Sequence, residues 1–239
     1  MRQLMLSIII LLLAIPAFAQ SDGEQICYER FGQWDAENQT CFMEMGLTLR
    51  VAYPLELLDN EYIISVIEPY LESLRADFAN IFAENGFPSP SPWSLYVTYE
   101  IYEYSEDIVT VKFDISEYTG GAHPNLYFNT MTFDLANQQL LSFTDLFQED
   151  INPLTTIAPL AQEQLGAVLG TDEMTMQWIM QGTGDTNFEN YRNYAVTDAG
   201  LMLFFEPYQV GPYAAGPQSV TIDWEILSEI LRQPFVAAG

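Results

Sequence analysis

Residues 93–117 read WSLYVTYEIYEYSEDIVTVKFDISE, a stretch in which apolar and polar side chains alternate. The apolar positions fall on one face of each of two strands: Leu95, Val97, Tyr99 and Ile101, then Val109, Val111, Phe113 and Ile115. Ser105-Glu106-Asp107 supplies polar turn residues between the two strands. Alternation with a period of two is typical of strands with one buried face. The stretch therefore predicts an antiparallel hairpin over a hydrophobic core.

The segment before this hairpin has the spacing of an amphipathic helix. Apolar residues recur at intervals of three and four from Ile63 to Phe82. Asp59 or Asn60 can cap the start, and Pro69 predicts either a kink or the beginning of a second helix. A strand over residues 47–53 precedes the helix.

Strand and helix patterns continue after the hairpin. We predict strands over 126–135, 140–141, 194–196, 201–205 and 220–224, helices over 153–169, 171–178 and a short one ending near 231. Asn152-Pro153 is a helix-start signal, and Gly170 and Gly182 end the two longer helices. Strands paired by hairpins with helices inserted between them favour an α+β fold, with a mainly antiparallel sheet and two small lobes.

The first 19 residues have the features of a secretory signal peptide. Arg2 is the charged start, residues 4–15 are apolar except for Ser7, and Ala17-Phe18-Ala19 is a cleavage site of the A-x-A type. We expect cleavage before Gln20. The alternative is an uncleaved membrane anchor, but the apolar run is shorter than the roughly 20 residues of a bilayer span. No later stretch predicts a span, so we expect a periplasmic or secreted protein.

The chain has two cysteines, Cys27 and Cys41. An even count in an exported chain favours a disulfide, and a loop of this length stabilises the fold by roughly 3 kcal/mol in the chain-entropy model. The alternative is a metal pair. It is weaker, because the chain has one histidine and no CxxC motif.

The charge of the chain restricts its partners. Lys and Arg number 7 against 33 Asp and Glu, which gives a formal net charge of −26. Such a chain is repelled by nucleic acid and by anionic membrane surfaces. It permits a cationic partner or a divalent metal.

Residues 118–125 read YTGGAHPN. Further along the chain lie TDAGL at 197–201, FFEPY at 204–208 and GPYAAG at 211–216. This ordered set resembles the extracytoplasmic domain of RsiV-type anti-sigma factors, which also occurs by itself in exported bacterial proteins of unknown function. The resemblance implies a two-lobe α+β module outside the cytoplasm. In RsiV-type proteins this module recognises lysozyme, a basic enzyme that cleaves the cell wall.

The resemblance and the patterns together predict four parts of the chain. These are a signal peptide over 1–19, a disulfide-closed N-terminal segment over 20–45, a small α+β lobe over 46–116 and an RsiV-like C-terminal domain over 117–239.

Two segments carry the candidate binding residues. Prolines and glycines make 206–216 a shaped loop that holds Tyr208, Pro212 and Tyr213. Rigid tyrosines beside prolines are typical of contact surfaces, but they can equally fold back over a core. His123 and Asn125 in the octapeptide complete the predicted surface. For His123 a structural role in the Gly120-Gly121 turn is favoured over catalysis, since the chain has no G-x-S-x-G or HExxH motif.

These observations favour an exported, non-enzymatic binding module of the bacterial envelope. We expect its partner to be a cationic lysozyme-like hydrolase or a wall component such as peptidoglycan, and we expect no cofactor and no metal site. The alternative is an envelope hydrolase that acts on peptidoglycan or glycan through acidic residues. Glu100 with Glu103, or Asp145 with Asp150, are candidate pairs for that chemistry.

Overall fold

The computed structural model describes residues 24–25, 27, 33–38, 40–42, 46–57, 59–85, 92–233 and 235. The strands are β1 (Gln33–Asp35), β2 (Thr40–Phe42), β3 (Leu47–Val51), β4 (Trp93–Glu103), β5 (Ile108–Tyr118), β6 (Asn125–Asp134), β7 (Gln139–Leu141), β8 (Tyr194–Thr197), β9 (Gly200–Phe205) and β10 (Gln218–Ile222). The α-helices are α1 (Glu61–Asn85), α2 (Leu154–Leu169), α3 (Glu173–Gly182) and α4 (Trp224–Leu227). The predicted signal peptide lies outside the described residues.

The described residues before Gly46 form a compact unit of their own, and those from Gly46 onward form a second. In the first unit, β1 and β2 pair as an antiparallel hairpin. Its turn is held by Asp35, whose Oδ1 accepts from the backbone N–H groups of Glu37 and Asn38 at 3.0 and 3.1 Å. A disulfide joins Cys27 to Cys41, as predicted.

The second unit is built on a five-stranded sheet in the order β3-β4-β5-β6-β7. The strands from β4 to β7 are antiparallel neighbours, and the predicted hairpin of β4 and β5 pairs from Ser94↔Tyr118 to Glu103↔Val109. β3 is parallel to β4. The pairing is parallel because α1, which lies between β3 and β4 in sequence, returns the chain to the end of the sheet at which β3 begins.

Helix α1 covers one face of this sheet. Its buried residues Ile63, Ile67, Leu71 and Phe78 pack with Leu95, Val97, Val111, Phe113, Ile115 and Phe133 of the strands. These are the positions that period-two alternation places on one face. Pro69 lies inside α1, so the segment is one helix rather than two.

A second sheet, in the order β10-β9-β8, lies against part of the opposite face. The contact combines apolar packing of Phe128, Ala195 and Phe204 with a hydrogen bond from the Val196 N–H to Thr110 Oγ1 at 3.3 Å. On its other side the second sheet packs with α2 and α3 in a separate core. We refer to the β4–β6 face turned away from α1 as the outer face.

The structure confirms the α+β fold with mainly antiparallel sheets. Two predicted boundaries were wrong. The cap of α3 is Asp172 rather than Thr171, because its Oδ1 accepts from the Thr175 N–H at 3.1 Å, and the helix continues to Gly182. Trp224 begins α4 rather than ending a strand, because Asp223 caps that turn through the Glu225 N–H.

The predicted division between residues 116 and 117 falls inside β5. The separation into two lobes at that point stays a prediction. Within the part of the chain that is described, no helix combines the length and apolar character needed to cross a bilayer.

Candidate functional site

The octapeptide forms the turn between β5 and β6. Gly120 and Gly121 have φ of 90° and 142°, values that side chains with a Cβ rarely adopt. The Tyr118 hydroxyl donates to the Gly121 carbonyl at 3.2 Å and closes the turn. The two glycines therefore reverse the chain within a few residues and present His123 at the end of the hairpin.

The hydrogen bonds of His123 fix the tautomer of its exposed imidazole. Nδ1 lies 2.9 Å from the Pro124 carbonyl oxygen. A carbonyl can only accept, so the proton is on Nδ1. In the neutral imidazole Nε2 then carries the lone pair, and the Tyr208 hydroxyl, 3.4 Å away, can donate to it.

Loop 206–217 brings Tyr208 and Tyr213 to this histidine. The Tyr213 ring stacks on the imidazole with centroids 3.7 Å apart, and its hydroxyl donates to the Pro124 carbonyl at 3.0 Å. Tyr208 is 54% exposed. Its φ of 71° is uncommon for a residue other than glycine. We call the three side chains of His123, Tyr208 and Tyr213 the aromatic cluster.

Glu206 anchors the start of the loop. Its Oε1 accepts from the Phe128 N–H at 3.2 Å, from Arg192 Nη2 at 3.0 Å and from Asn193 Nδ2 at 3.1 Å. One carboxylate oxygen thus ties the loop to β6 and to the segment before β8.

Gln209 is the second anchor of the loop. Its Oε1 accepts from the Glu206 N–H at 3.1 Å, while its Nε2 donates to the carbonyls of Gly182 and Asn190 at 3.2 and 2.8 Å. The Gln209 carbonyl oxygen would lie 2.1 Å from a Cβ at Gly182, so only glycine permits this approach. Both anchors hold the aromatic cluster in one conformation.

The structure brings three of the five predicted binding residues together: His123, Tyr208 and Tyr213. Pro212 is exposed and precedes the short 3₁₀ turn Tyr213–Ala215, and Asn125 is exposed at the start of β6. The sequence left open whether the tyrosines fold back or face outward, and the two residues differ in this respect. Tyr213 folds back onto the octapeptide turn, whereas Tyr208 faces solvent. The anchors Glu206 and Gln209 were not predicted, since a Glu and a Gln in an acidic chain give no signal of their own.

The candidate acidic pairs have other geometry. Glu100 and Glu103 are three residues apart on β4, so they point to opposite faces of the sheet. Asp145 accepts from the backbone N–H and the hydroxyl of Ser142 at 2.8 and 2.6 Å, as in a helix cap. Within the described part of the chain, no group of three or more His, Cys, Asp or Glu side chains is arranged to hold a metal ion.

A pocket of about 300 Å³ opens on the outer face. Its apolar walls are Tyr96, Leu126, Phe128 and Pro217, and Thr98, Asp114 and Ser116 add polar groups. Leu126 directly follows the octapeptide in sequence and Pro217 is the last residue of loop 206–217, so the segments that build the aromatic cluster also contribute to this pocket. We call it the outer-face pocket.

Lys112, the one lysine of the chain, lies beneath the Asp114 carboxylate. Its Nζ donates to the two Asp114 oxygens at 2.6 and 2.7 Å and lies 3.5 Å from Glu100 Oε2. The ammonium also sits 4.6 and 5.2 Å from the ring centroids of Phe128 and Phe204. The lysine side chain is 7% exposed, against 34% for Asp114. The cation is therefore buried, and the carboxylate faces outward.

Two tyrosines near this region are bonded to carboxylates. Tyr102 donates to Glu100 and Tyr127 to Glu117. Burial first, and the neighbouring carboxylate second, raise the pKa of both phenols above the ordinary value. Both stay protonated donors at neutral pH.

Sequence models of two families match two different segments of this chain, and each segment contributes to the aromatic cluster. Residues 144–225 match the sequence model of DUF3298, a family described as a protein of unknown function. Residues 49–126 match the model described as deacetylase PdaC. The octapeptide turn thus lies in the PdaC-matching segment, and all of loop 206–217 lies in the DUF3298-matching segment. The RsiV-type resemblance stays a prediction.

Three relatives cover different shares of the chain. The peptidoglycan-N-acetylmuramic acid deacetylase PdaC of Bacillus subtilis is 29% identical over 144 residues, which are 59% of this chain and 30% of that protein. The immunogenic protein MPT64 of Mycobacterium tuberculosis is 24% identical over 95% of this chain and 97% of its own length. Esterase Rv3036c of the same organism is 24% identical over 70% of this chain and 71% of its own length. This chain therefore corresponds to less than a third of PdaC.

Two crystal structures share the fold. A DUF3298 family protein from Pseudomonas aeruginosa superposes with a TM-score of 0.58 at 18% identity, over 76% of this chain and 84% of the other. A DUF3298 family member from Bacteroides fragilis gives a TM-score of 0.51 at 22% identity, over 76% of this chain and 71% of the other. At these identities the likeness concerns the fold.

Proposed function

We propose that this protein is an exported binding module of the bacterial cell envelope that binds the glycan of peptidoglycan on the aromatic cluster. The observation that carries the proposal is the stack of Tyr213 on His123, with Tyr208 exposed beside it. The stack joins two segments of the chain into one surface that combines ring faces with hydroxyl groups.

The chemistry of this surface suits a sugar. Aromatic faces pack against apolar C–H groups, and the two tyrosine hydroxyls, whose protons point to His123 and to the Pro124 carbonyl, can accept hydrogen bonds from sugar hydroxyls. The anchors at Glu206 and Gln209 fix the loop before any ligand arrives, so binding immobilises few side chains. The aromatic cluster thus presents groups complementary to both the C–H face and the hydroxyl groups of a sugar ring.

Cellular location also supports the proposal. The Cys27–Cys41 disulfide is consistent with a protein outside the cytoplasm, where disulfides persist. A relative that shares 144 residues with this chain is named as a deacetylase of a peptidoglycan sugar. Similarity to part of a wall-acting enzyme supports binding of this chain to the cell wall.

The experiment is co-sedimentation with purified peptidoglycan sacculi. We expect the wild-type protein to pellet with sacculi and Tyr208→Ala to lose at least tenfold in affinity. Phe188→Ala is the matched control, because Phe188 is 38% exposed and its ring packs beside Phe143 rather than beside the rings of the aromatic cluster. Equal pelleting of wild type and Tyr208→Ala, or no pelleting at all, contradicts the proposal.

A cationic lysozyme-like hydrolase is the other partner that the sequence predicts. The same experiment separates the two by adding soluble lysozyme without sacculi. If the protein binds lysozyme through Tyr208 but ignores sacculi, the partner is the enzyme and the glycan proposal is wrong.

A hydrolase is the second candidate function, and the Tyr208–His123 pair favours it. The histidine Nε2 accepts from a tyrosine hydroxyl, so the imidazole can act as a base toward that group. Tyr208 also has an uncommon backbone conformation, which occurs often at active sites. Two relatives are named as a deacetylase and an esterase.

Release of acetate from sacculi, or of nitrophenol from an aryl ester, tests this second function. Activity that His123→Ala and Tyr208→Phe both abolish would establish it. Activity unchanged in both variants would place any hydrolysis elsewhere.

A further inference from the structure

The outer-face pocket has one charged group at its surface. Among the described residues that line it, Asp114 is the one with an acidic or basic side chain. The carboxylate is 34% exposed. Each of its oxygens has two lone pairs and accepts one bond from Lys112, so each keeps a lone pair for a ligand.

The surroundings of Asp114 remain negative in spite of Lys112. The lysine carries one positive charge, while Asp114 and Glu100 carry two negative charges within 3.5 Å of it. The local sum is −1, in a chain whose net charge is −26. The pocket therefore attracts a cation and repels an anion.

The apolar walls of the pocket make a hydrated metal cation a poor ligand. Tyr96, Leu126, Phe128 and Pro217 present apolar surface, and Thr98 and Ser116 present hydroxyls. These groups match a ligand with one apolar face, several hydroxyls and one ammonium. A volume of about 300 Å³ is at the small end of ligand pockets and suits a single ring.

We propose that the outer-face pocket binds the ammonium group of a de-N-acetylated amino sugar on Asp114, so that the module selects de-N-acetylated over N-acetylated glycan. The proposal rests on the proposed function, because it names which glycan the same segments recognise. An ammonium makes a charge-assisted hydrogen bond with the carboxylate. An acetamido group is neutral and bulkier, and its single N–H offers the carboxylate one hydrogen bond without a positive charge, so it replaces less of the lost hydration.

The test measures binding of two oligosaccharides by calorimetry at pH 5.5. One is the tetramer of N-acetylglucosamine and the other is the tetramer of glucosamine, whose amines are protonated at that pH. We expect the wild type to bind the glucosamine tetramer at least tenfold more tightly. Asp114→Asn should reduce that ratio to below twofold, and Asp107→Asn, which removes the same charge from an exposed turn, should leave it unchanged.

A second variant covers the case in which Asp114→Asn fails to fold. Leu126→Lys places an ammonium at the rim of the pocket on a side chain that is already 37% exposed. It should weaken binding of the glucosamine tetramer at least tenfold. Leu140→Lys makes the same charge change at a 43% exposed site on β7, and it should have little effect if the attraction is local rather than a property of the whole acidic chain.

The outcomes separate this proposal from the proposed function. Equal or tighter binding of the N-acetylated tetramer overturns the selectivity, and so does equal weakening by Leu126→Lys and Leu140→Lys. If sacculi still bind through Tyr208 in those cases, the proposed function stands without the selectivity. If neither tetramer nor sacculi bind, both proposals are wrong.

Discussion

The Tyr213 ring lies over the His123 imidazole with centroids 3.7 Å apart and planes inclined by 18°. Both residues also bond the same carbonyl, that of Pro124, at 3.0 and 2.9 Å. This is a link between a hairpin turn and a loop that are some ninety positions apart in the chain. Each segment therefore depends on the other for its conformation.

Tyr213→Ala should lower the free energy of unfolding by about 1–3 kcal/mol, because it removes one aromatic pair and one hydrogen bond. Tyr213→Phe keeps the stack and should cost only about 1 kcal/mol. Urea unfolding at pH 7 measures both. Equal losses in the two variants would show that the ring stack contributes nothing.

Gly182→Ala should loosen loop 206–217 at its Gln209 anchor. The added Cβ would lie 2.1 Å from the Gln209 carbonyl oxygen, so the loop must move, at a cost of about 1–3 kcal/mol. Hydrogen exchange of the loop amides should become faster. Gly184→Ala is the control, since a Cβ there would lie 3.8 Å from the Met180 carbonyl oxygen, an ordinary contact distance. Unchanged exchange in Gly182→Ala would contradict the anchoring role of Gln209.

Asp114→Ala should destabilise the protein more than Lys112→Met does. Removing the carboxylate leaves the buried ammonium with Glu100 at 3.5 Å as its remaining carboxylate, at a cost of about 3 kcal/mol. Removing the lysine leaves a carboxylate that water already reaches, and the apolar replacement packs against the two phenylalanines. Urea unfolding of both variants and of the double variant tests the order. A double variant that is less stable than Asp114→Ala would refute this account.

Stability should fall as the pH rises above 10. Burial raises the pKa of Tyr102, Tyr127, Tyr191 and Tyr194 above the ordinary value near 10. The unfolded chain then releases these protons first, so unfolding becomes easier, by up to about 1.4 kcal/mol per pH unit for each tyrosine. Below pH 10 the stabilisation is complete.

Urea unfolding at pH 9, 10 and 11 measures this dependence, with absorbance at 295 nm reporting tyrosinate. Tyr191→Phe should make the alkaline loss less steep by one proton. A stability that is flat through pH 11 would mean that these phenols titrate alike in both states.

The Cys27–Cys41 disulfide should be complete in exported protein. Alkylation without reductant should then label neither cysteine, and reduction in denaturant should expose both. Mass spectrometry of the alkylated chain gives the count. Labelled thiols in native, exported material would contradict the bond.

Local patterns predicted those parts of the fold that bury one face of a regular element. Val111, Phe113 and Ile115 are apolar at alternate positions because α1 covers that side of the sheet. The apolar spacing of α1 reflects the same contact. The parallel pairing of β3 with β4 was not predicted, because pairing depends on where a helix returns the chain. The hairpin of β1 and β2 was also missed, since three-residue strands are too short to show a period.

The candidate site was predicted only as two separate segments. His123 and Tyr213 were both chosen for their local composition, but no sequence spacing shows that their rings stack. Lys112 and Asp114 did carry a signal, because residues two apart on a strand share a face. That signal does not mark a site by itself, since polar positions of an alternating strand usually face solvent, whereas here the second sheet covers Lys112.

The burial of Lys112 in β5 determines whether trypsin can reach the peptide bond that follows it. Trypsin cleaves after lysine and arginine in extended, accessible backbone, and the single lysine of the chain lies in β5, which is paired on both sides. Cleavage there requires the central strand to leave the sheet, which amounts to unfolding the second unit. The bond after Lys112 is thus hidden from trypsin in the folded protein, and its cleavage reports opening of the sheet rather than local fraying.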